Sequence, residues 1–201
     1  MRKSNAETVE TRKRIIATAS RAFLRHGFAG AGIADIMVAA GLTQGGFYRH
    51  FESKEQLIAE ASAAAFAELH AMFDRATAGK APREAVEFIA RGYLSQLHAE
   101  DLIYLCPLAN LAGELHHADA QIKTVASEGY AHLVKLLASH LMRMDVADYL
   151  GVAESVVSLL VGAVTVSRVV GLEACEPILE NARNTVKLLL DAAATSSTLP
   201  R

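Results

Sequence analysis

Polar and cationic side chains are concentrated in one short stretch of the chain, residues 43–54. The stretch holds hydroxyl, amide, guanidinium, imidazole and ammonium groups at Thr43, Gln44, Tyr48, Arg49, His50 and Lys54. An amide side chain such as that of Gln44 can donate to and accept from an adenine edge, whereas hydroxyl and cationic groups bind phosphate oxygens. The chemistry that these residue types favour is the non-covalent recognition of double-stranded DNA.

Two consecutive glycines, Gly45 and Gly46, interrupt this polar set. Each glycine disfavours a helix by about 1 kcal/mol relative to alanine. Their place at the N-terminal end of a short helix indicates that another surface comes close to the backbone, as the major groove does for a recognition helix. We therefore include both glycines among the predicted DNA-binding residues. Arg12 of the preceding helix is included as well, because it extends the positive face.

The charge of the chain is divided unevenly along its length. The 201 residues have a formal net charge of −2, but residues 1–54 carry nine basic and four acidic side chains, a net charge of +5. The remaining residues carry 11 basic and 18 acidic side chains, a net charge of −7. This division predicts an anion-binding head, residues 1–54, on an acidic body, residues 55–201.

Composition disfavours several other classes of protein. Hydrophobic residues make up 52% of the chain and charged residues 21%, which is too apolar for a disordered protein. The two cysteines are too few for a disulfide scaffold, so we expect a cytoplasmic protein. The longest apolar run, residues 156–166, is about half a membrane span. Because this run is too short to span a membrane, no membrane partner is expected, and the N-terminus lacks the apolar core of a signal peptide.

Helical periodicity without strand patterns predicts an all-α protein of about nine helices. The expected helices cover residues 9–25, 33–40, 44–50, 54–78, 82–98, 104–116, 119–142, 154–170 and 177–193. A turn at Gly41 separates the second helix from the third, and Thr43 is expected to cap the third. This spacing is typical of a helix-turn-helix. Ser53 and Gln56 form a capping box that starts the fourth helix.

These local features resemble the tetracycline-repressor (TetR) family of bacterial regulators. The resemblance is carried by AGLT at positions 40–43, FYRHF at 47–51 and SKE at 53–55. It implies a third helix that enters the major groove and a homodimer on a palindromic operator. It also implies that the DNA is released when a small-molecule effector binds the body.

Apolar and aromatic side chains of the body are candidates for the effector pocket. The candidates between the fourth and eighth helices are Phe66, Tyr93, Leu97, Tyr104, Cys106, Leu111, Tyr130, Leu133 and Val134. They predict a small or medium-sized, mostly apolar effector held by one or two hydrogen bonds. Aromatic residues make up only 6% of the chain, so stacking on a planar ligand is not specially indicated.

The last two helices are apolar around most of their surface, which is typical of buried helices. The residues predicted at a dimer interface are Val157, Leu160, Val161, Val164, Arg168, Val186, Leu189 and Leu190. A four-helix seam between two subunits accounts for this pattern, and packing inside a single subunit is the alternative.

Other functions have weaker support in the sequence. One alternative is a redox- or electrophile-sensing repressor that uses Cys106, although a free cysteine is more often a small buried hydrophobe. His116 and His117, near Glu114 and Asp119, lack the i, i+4 spacing of metal ligands on a helix, so no metal site is predicted. No acid–base pair or phosphate-binding loop indicates an enzyme or a cofactor. A constitutive DNA binder without an effector is the remaining alternative.

Overall fold

Long segments with helical periodicity and few prolines fold as helices throughout the described chain. The structure is a computed structural model that describes residues 5–95 and 106–196, and in these ranges it contains eight α-helices, one 3₁₀ helix and no strand. The α-helices are α1 (Asn5–Gly30), α2 (Ile33–Ala39), α3 (Lys54–Thr77), α4 (Pro82–Leu94), α5 (Pro107–His117), α6 (Ala120–Met142), α7 (Tyr149–Val170) and α8 (Leu172–Ser196). The 3₁₀ helix spans Gln44–Arg49. The predicted all-α class is confirmed.

The head consists of α1, α2, the 3₁₀ helix and the start of α3, and an apolar core holds these elements together. Phe23 and Ile36 are buried in this core. The rings of Phe47 and Phe51, which are also buried, stack with their centroids 5.6 Å apart. Burial of a large apolar side chain stabilises a fold by about 1.5–3 kcal/mol. These contacts fix α2 and the 3₁₀ helix against α1 and α3.

The turn between α2 and the 3₁₀ helix depends on Gly41, whose φ of 71° lies in the left-handed region. The Leu42 N–H donates to the Met37 carbonyl at 2.9 Å. The Gly41 N–H donates to the Val38 carbonyl, also at 2.9 Å. Together these bonds close the end of α2 as a Schellman motif, in which glycine is favoured at this position. The expected turn is present, with its glycine in the required conformation.

The start of α3 is fixed by the capping residues that the sequence indicated. The Ser53 Oγ accepts the Gln56 N–H at 3.1 Å. In return, the Gln56 Oε1 accepts the N–H of Glu52 at 2.7 Å, one residue before the cap. These two hydrogen bonds fix residues 52–56, and Lys54 is thereby held at the first position of α3, close to the end of the 3₁₀ helix.

In the body, α7 packs against α4, α5, α6 and α8. By length and composition α7 is long and apolar enough to cross a membrane, with a mean hydropathy of 1.8. A core helix passes the same test, and one side of α7 is buried in the body core through Val156, Leu160 and Val164.

Five side chains that were predicted at a dimer interface are at most 3% exposed within a single chain, because they face this core. They are Val157, Leu160, Val164, Val186 and Leu190. Their assignment to an interface was wrong, since buried side chains are not available to a second subunit. The sequence did not reveal this because helices that are apolar on most sides give no periodic signal for the inward side. The predicted residues that remain at least partly exposed are Val161, Arg168 and Leu189.

Three helices extend beyond their expected ends. α1 continues past a break at Gly27 to Gly30. α7 begins at Tyr149 rather than at residue 154, because the Asp148 side chain caps it by accepting the Gly151 N–H at 3.1 Å. α8 begins directly after the glycine that ends α7, so Pro177 lies inside the helix instead of at its start.

Candidate nucleic-acid interface and effector cleft

The 3₁₀ helix presents polar residues to solvent and its one large apolar residue to the core. Phe47 is fully buried, whereas the adjacent Tyr48 is 75% exposed. The exposed residues, which we call the contact surface, are Thr43, Gln44, Gly45, Tyr48 and Arg49. Because the buried ring anchors the helix, these residues form one polar, cationic surface directly after the turn.

The two glycines of this helix differ in what surrounds them. The expected third helix is a 3₁₀ helix rather than an α-helix, in keeping with its short length and low helix propensity. A Cβ on Gly45 would meet no other part of the described chain within 4 Å. A Cβ on Gly46 would lie 3.7 Å from the Met37 side chain, an ordinary contact. The packing of the described chain therefore does not require glycine at position 45.

The residues that flank the contact surface differ in their availability. The Thr43 side chain makes no capping hydrogen bond, contrary to expectation, and is exposed. His50 is half-buried, as is Gly46. Lys54 is half-buried at the start of α3, where the N-terminal end of the helix dipole and the ammonium group together favour an anion.

Arg12 bonds to other parts of the head, and its role in DNA binding stays a prediction. Its guanidinium donates to both carboxylate oxygens of Glu60, with 2.6 Å between Nη2 and Oε1. Its Nε donates to the His50 carbonyl at 3.2 Å, and the guanidinium lies 4.5 Å from the centroid of the Phe51 ring. The hydrogen bond with Glu60 raises the pKa of Arg12. Its donors therefore serve the architecture of the head.

One apolar residue next to the contact surface was missing from the predicted set. Val38, near the end of α2, is 70% exposed, whereas Ile36 and Met37 are buried. Apolar side chains in the major groove contact the methyl group of thymine. The available signal was helical periodicity, which places Val38 on the opposite side of α2 from Ile36.

The predicted effector-pocket residues that the structure describes lie at four different places. Phe66 lines a cleft between α3 and α6. Leu111 borders a small void between α1, α3 and α5, and Tyr130 lines a groove among α6, α7 and α8. The candidates packed into the body core are Tyr93, Cys106, Leu133 and Val134. Leu97 and Tyr104 lie outside the described residues.

The cleft between α3 and α6 has a volume of about 320 Å³ and small residues along its α3 wall, namely Ala63, Ala67 and Ala71. The two helices approach closely at its floor because α6 has a glycine there. A Cβ on Gly129 would lie only 2.5 Å from the Phe66 ring. The cleft thus owes its space mainly to the alanines of its α3 wall.

Two histidine rings supply the polar part of this α3–α6 cleft. His70 is only 6% exposed, and its ring stacks on that of His132 with the centroids 4.1 Å apart. Burial, followed by the charge of His132, lowers the pKa of His70 to about 4. His70 is thus neutral at pH 7, and its Nε2 has no hydrogen-bond partner within the described chain. Asp74 and Glu128 also line the cleft, so it suits a ligand that donates a hydrogen bond.

Cys106 is fully buried just before α5, in contact with the Tyr93 hydroxyl. Burial raises the pKa of the Cys106 thiol. The protonated thiol, which is the weaker nucleophile, therefore predominates. Burial also raises the pKa of Tyr93 well above its usual value. These surroundings disfavour the alternative in which Cys106 senses oxidants or electrophiles.

No group of three or more metal-ligating side chains is present among residues 5–95 and 106–196. The two carboxylates near His116 and His117 have other partners. The Asp119 side chain caps α6 by accepting the Ile122 N–H at 2.8 Å. The Glu114 carboxylate accepts backbone N–H groups near the end of α1.

Known protein families match both parts of the chain. Residues 15–61 match the family described as bacterial regulatory proteins, tetR family. Residues 82–183 match the family described as the C-terminal domain of LmrA/YxaF-like transcriptional regulators. The first match covers the helix-turn-helix, and the second covers most of the body.

Curated relatives match over a shorter stretch. The chain is 43% identical over 58 residues to the HTH-type transcriptional regulator TtgR of Pseudomonas putida, which covers 29% of this chain and 28% of that protein. It is 41% identical over 59 residues to the probable acrEF/envCD operon repressor of Escherichia coli, which covers 29% of this chain and 27% of that protein. The chain thus spans less than a third of the length of these relatives.

Solved structures match nearly the whole chain. A TetR transcriptional regulator from Chloroflexus aurantiacus J-10-FL has a TM-score of 0.80 and 27% identity, and the match covers 92% of this chain and 96% of that one. The reduced form of E. coli NemR has a TM-score of 0.78 over 89% of this chain and 96% of that one. At 23% identity, this second similarity concerns the fold alone.

Proposed function

Because the chain belongs to the TetR family of bacterial transcriptional regulators, we propose that it is a repressor that binds a palindromic operator as a homodimer and leaves it when a small effector binds the body. The contact surface carries this proposal, since its polar side chains are exposed while Phe47 anchors them from behind. The +5 head attracts phosphates, and the −7 body is repelled by them, so that only the head docks. We place this activity in the cytoplasm, without a cofactor.

In the proposed complex, the N-terminal residues of the 3₁₀ helix meet base edges in the major groove. Gln44 binds an adenine edge, Val38 contacts a thymine methyl group, and the bare backbone at Gly45 allows the helix to sit deeply. The residues proposed to face phosphates at the groove wall are Thr43, Tyr48, Arg49, His50 and Lys54. Gly46 lies beside Gly45 in the proposed interface, where its backbone is half-buried.

We place the second subunit against the outer side of α7 and α8. Val166, Val169 and Leu188 are 48%, 82% and 67% exposed on these helices. Large apolar side chains that stay exposed on two adjacent helices are available to a partner subunit. Ser158 and Gly162 lie on the same side of α7 as Val166, and their small size lets a partner helix approach closely. Two copies of this helix pair give a four-helix seam.

We propose the α3–α6 cleft as the site of the effector. His70 Nε2 is a buried ring nitrogen without a partner in the described chain, so a mostly apolar ligand with one hydrogen-bonding group suits it. α3 also begins at Lys54, so one helix connects the cleft with the proposed phosphate contact. A ligand that favours another position of α3 changes the match between the two heads and half-sites about one helical turn apart.

Selection of random double-stranded DNA on the immobilised full-length protein tests the proposed DNA binding. We expect enrichment of a palindrome that binds at least about 10³-fold more tightly than unselected DNA. In fluorescence anisotropy, Arg49→Ala is expected to lower the slope of log affinity against log salt by about one. Lys135→Ala, at an exposed position on α6, is the matched control and keeps the wild-type slope. Equal affinity for all sequences contradicts the proposal.

A cleft-filling variant tests the effector site. Ala67→Phe places a ring in the α3–α6 cleft, whereas Ala131→Phe places one on the exposed surface of α6. In a thermal-shift screen of small molecules, the effector is expected to stabilise the wild type and Ala131→Phe but not Ala67→Phe. The same molecule must release the selected DNA. A releasing molecule that acts equally on both variants contradicts the assignment to this cleft.

A further inference from the structure

Glu114, on α5, connects the body to the head through the backbone of α1. Its two carboxylate oxygens accept the Phe28 N–H at 2.8 and 3.0 Å, and Oε1 also accepts the Ala29 N–H at 3.1 Å. We propose that Glu114 is a positioning residue that fixes the orientation of the head on the body and thereby sets operator affinity. This inference rests on the proposed DNA-binding function and adds the point at which the body acts on the head.

The backbone of α1 creates the need for an acceptor at this place. α1 breaks at Gly27, where φ is 75° and ψ is 173°. The N–H groups of Phe28 and Ala29 start a new turn after the break, so they lack the upstream carbonyl partners of a continuous helix. A carboxylate suits such N–H groups because it is a charged acceptor at the positive end of a helical turn. Glu114 supplies it from a segment 86 residues away.

The break and the carboxylate fit each other sterically. A Cβ on Gly27 would lie 2.6 Å from the Glu114 Oε2. Position 27 therefore needs glycine for its positive φ and also for the approach of the carboxylate. The requirement for Gly27 and the requirement for Glu114 arise from the same contact.

α5 is placed to carry a change in the body to this contact. Just before its first residue, Cys106 lies in the body core, whereas Leu111 and Leu115 lie in the head core. Leu111 departs from helical geometry, with φ −121° and ψ 16°, between the end of α5 in the body and the end that bears Glu114. Thr165 of α7 also donates to the Ala109 carbonyl at 3.3 Å. Movement of α7 can thus tilt α5 at its first turn.

On the other side of the contact, Phe28 belongs to the head core, which also holds α2 and the 3₁₀ helix. Its ring meets that of Phe23 edge to face, with centroids 5.6 Å apart. Both rings share the head core with Ile36 of α2 and Phe47 of the 3₁₀ helix. A shift of the Phe28 backbone therefore moves the packing behind the contact surface. In a dimer the two heads must match two half-sites at a fixed spacing, so a small change of tilt lowers affinity.

Removal of the carboxylate tests this coupling in the full-length protein. Glu114→Ala removes all three hydrogen bonds, Glu114→Gln keeps one acceptor oxygen, and Glu180→Gln, at an exposed site on α8, is the control. We expect Glu114→Ala to lower the affinity for the selected operator about tenfold. Glu114→Gln should lose less operator affinity than Glu114→Ala, and Glu180→Gln should keep the wild-type affinity. The slope of log operator affinity against log salt concentration should stay at the wild-type value in all three variants, because no phosphate contact is removed.

Amide hydrogen exchange separates coupling from simple loss of structure. In Glu114→Ala, protection should fall at Phe28 and Ala29 while the core of α7 keeps its protection. If those two amides lose protection but operator affinity stays within twofold of the wild type, the coupling role is overturned. Unchanged protection in both variants overturns the contact itself.

If Glu114→Ala does not fold, Glu114→Gln decides by the same two measurements. Failure of the wild type to bind any DNA overturns the proposed function instead, and amide exchange still decides whether Glu114 holds the head.

Discussion

The Arg12 guanidinium and the Glu60 carboxylate form a bidentate ion pair that connects α1 to α3 at the edge of the head. The two side chains are 33% and 29% exposed, so the pair is partly shielded from solvent. The same guanidinium donates to the His50 carbonyl and lies over the Phe51 ring. It thereby holds the C-terminal end of the 3₁₀ helix. The position of the contact surface thus depends on a cation that does not belong to it.

Arg12→Ala is expected to lower the free energy of unfolding by about 1–2 kcal/mol, because it removes charged hydrogen bonds from a partly shielded site. Urea titration at a fixed protein concentration measures this loss. Glu60→Gln should cost less, and a double-mutant cycle should give a coupling energy between the two residues. Lys13→Ala, at the neighbouring exposed position, serves as the control and should stay within about 0.5 kcal/mol. If Arg12→Ala keeps the wild-type free energy of unfolding but lowers the slope of log DNA affinity against log salt, Arg12 is a phosphate contact instead.

The contrast between Arg12 and the helix-turn-helix indicates which features a sequence can predict. The turn at Gly41 and the cap at Ser53 were expected correctly because their partners lie within a few residues. The partner of Arg12 is 48 residues away, so its role could not be predicted from local spacing. Only the packing of α1 on α3 brings the two together.

The body was harder to predict for a related reason. The apolar pattern of α7 and α8 indicated burial correctly, but Val157 and Val164 face the chain's own core, while Val166 and Leu188 remain exposed. The choice depends on how α4, α5 and α6 pack around α7, which the pattern of one helix does not contain. The His70–His132 pair was missed for the same reason, because the two rings meet only when α3 and α6 pack together.

Gly45→Ala is expected to weaken operator binding without weakening the fold. The chain leaves space for a Cβ at this position, and alanine is the better helix former, so stability should stay equal or rise by up to about 1 kcal/mol. The added methyl group instead meets the DNA, so anisotropy with the selected operator should show at least a several-fold loss of affinity. Gly113→Ala, on the exposed side of α5 with equal space for a Cβ, is the matched control and should bind DNA like the wild type. Full affinity in Gly45→Ala would remove the argument from close approach.

The exposed side of α7 and α8 is expected to form the dimer. Sedimentation should give a mass near 43 kDa, twice the 21.5 kDa of the chain. Val166→Glu and Leu188→Glu each place a charge at the proposed seam and should shift the mass toward that of the monomer. Leu150→Glu, which changes a residue 51% exposed on the opposite side of α7, should remain dimeric. A dimer that withstands both seam substitutions but not Leu150→Glu would move the interface to another surface.

The buried His70 is expected to make the fold less stable in acid. Its pKa is about 4 in the folded chain and about 6.5 in the unfolded chain, so the unfolded state binds more protons between these values. Stability should therefore fall as the pH drops from about 6.5 to about 4, with no further loss from this group below about 4. His70→Gln should flatten this part of the profile in urea titrations, even if the variant is less stable at every pH. His117→Gln, at an exposed position, should keep the wild-type slope. Equal slopes in all three proteins would show that His70 titrates normally in the folded state.

Both thiols are expected to be unreactive in the folded protein. Cys106 is 0% exposed and Cys175 is 1% exposed, and burial raises the pKa of the Cys106 thiol. A chromogenic disulfide reagent should therefore label neither thiol of the native protein within minutes and both thiols after unfolding in guanidinium. Cys106→Ser should lower the number of thiols labelled after unfolding from two to one, and it should leave labelling of the native protein and operator binding unchanged. Rapid labelling of the native wild type that is lost in Cys106→Ser would favour a sensing thiol. In that case treatment with the reagent should also release the operator, an outcome that burial at the start of α5 argues against.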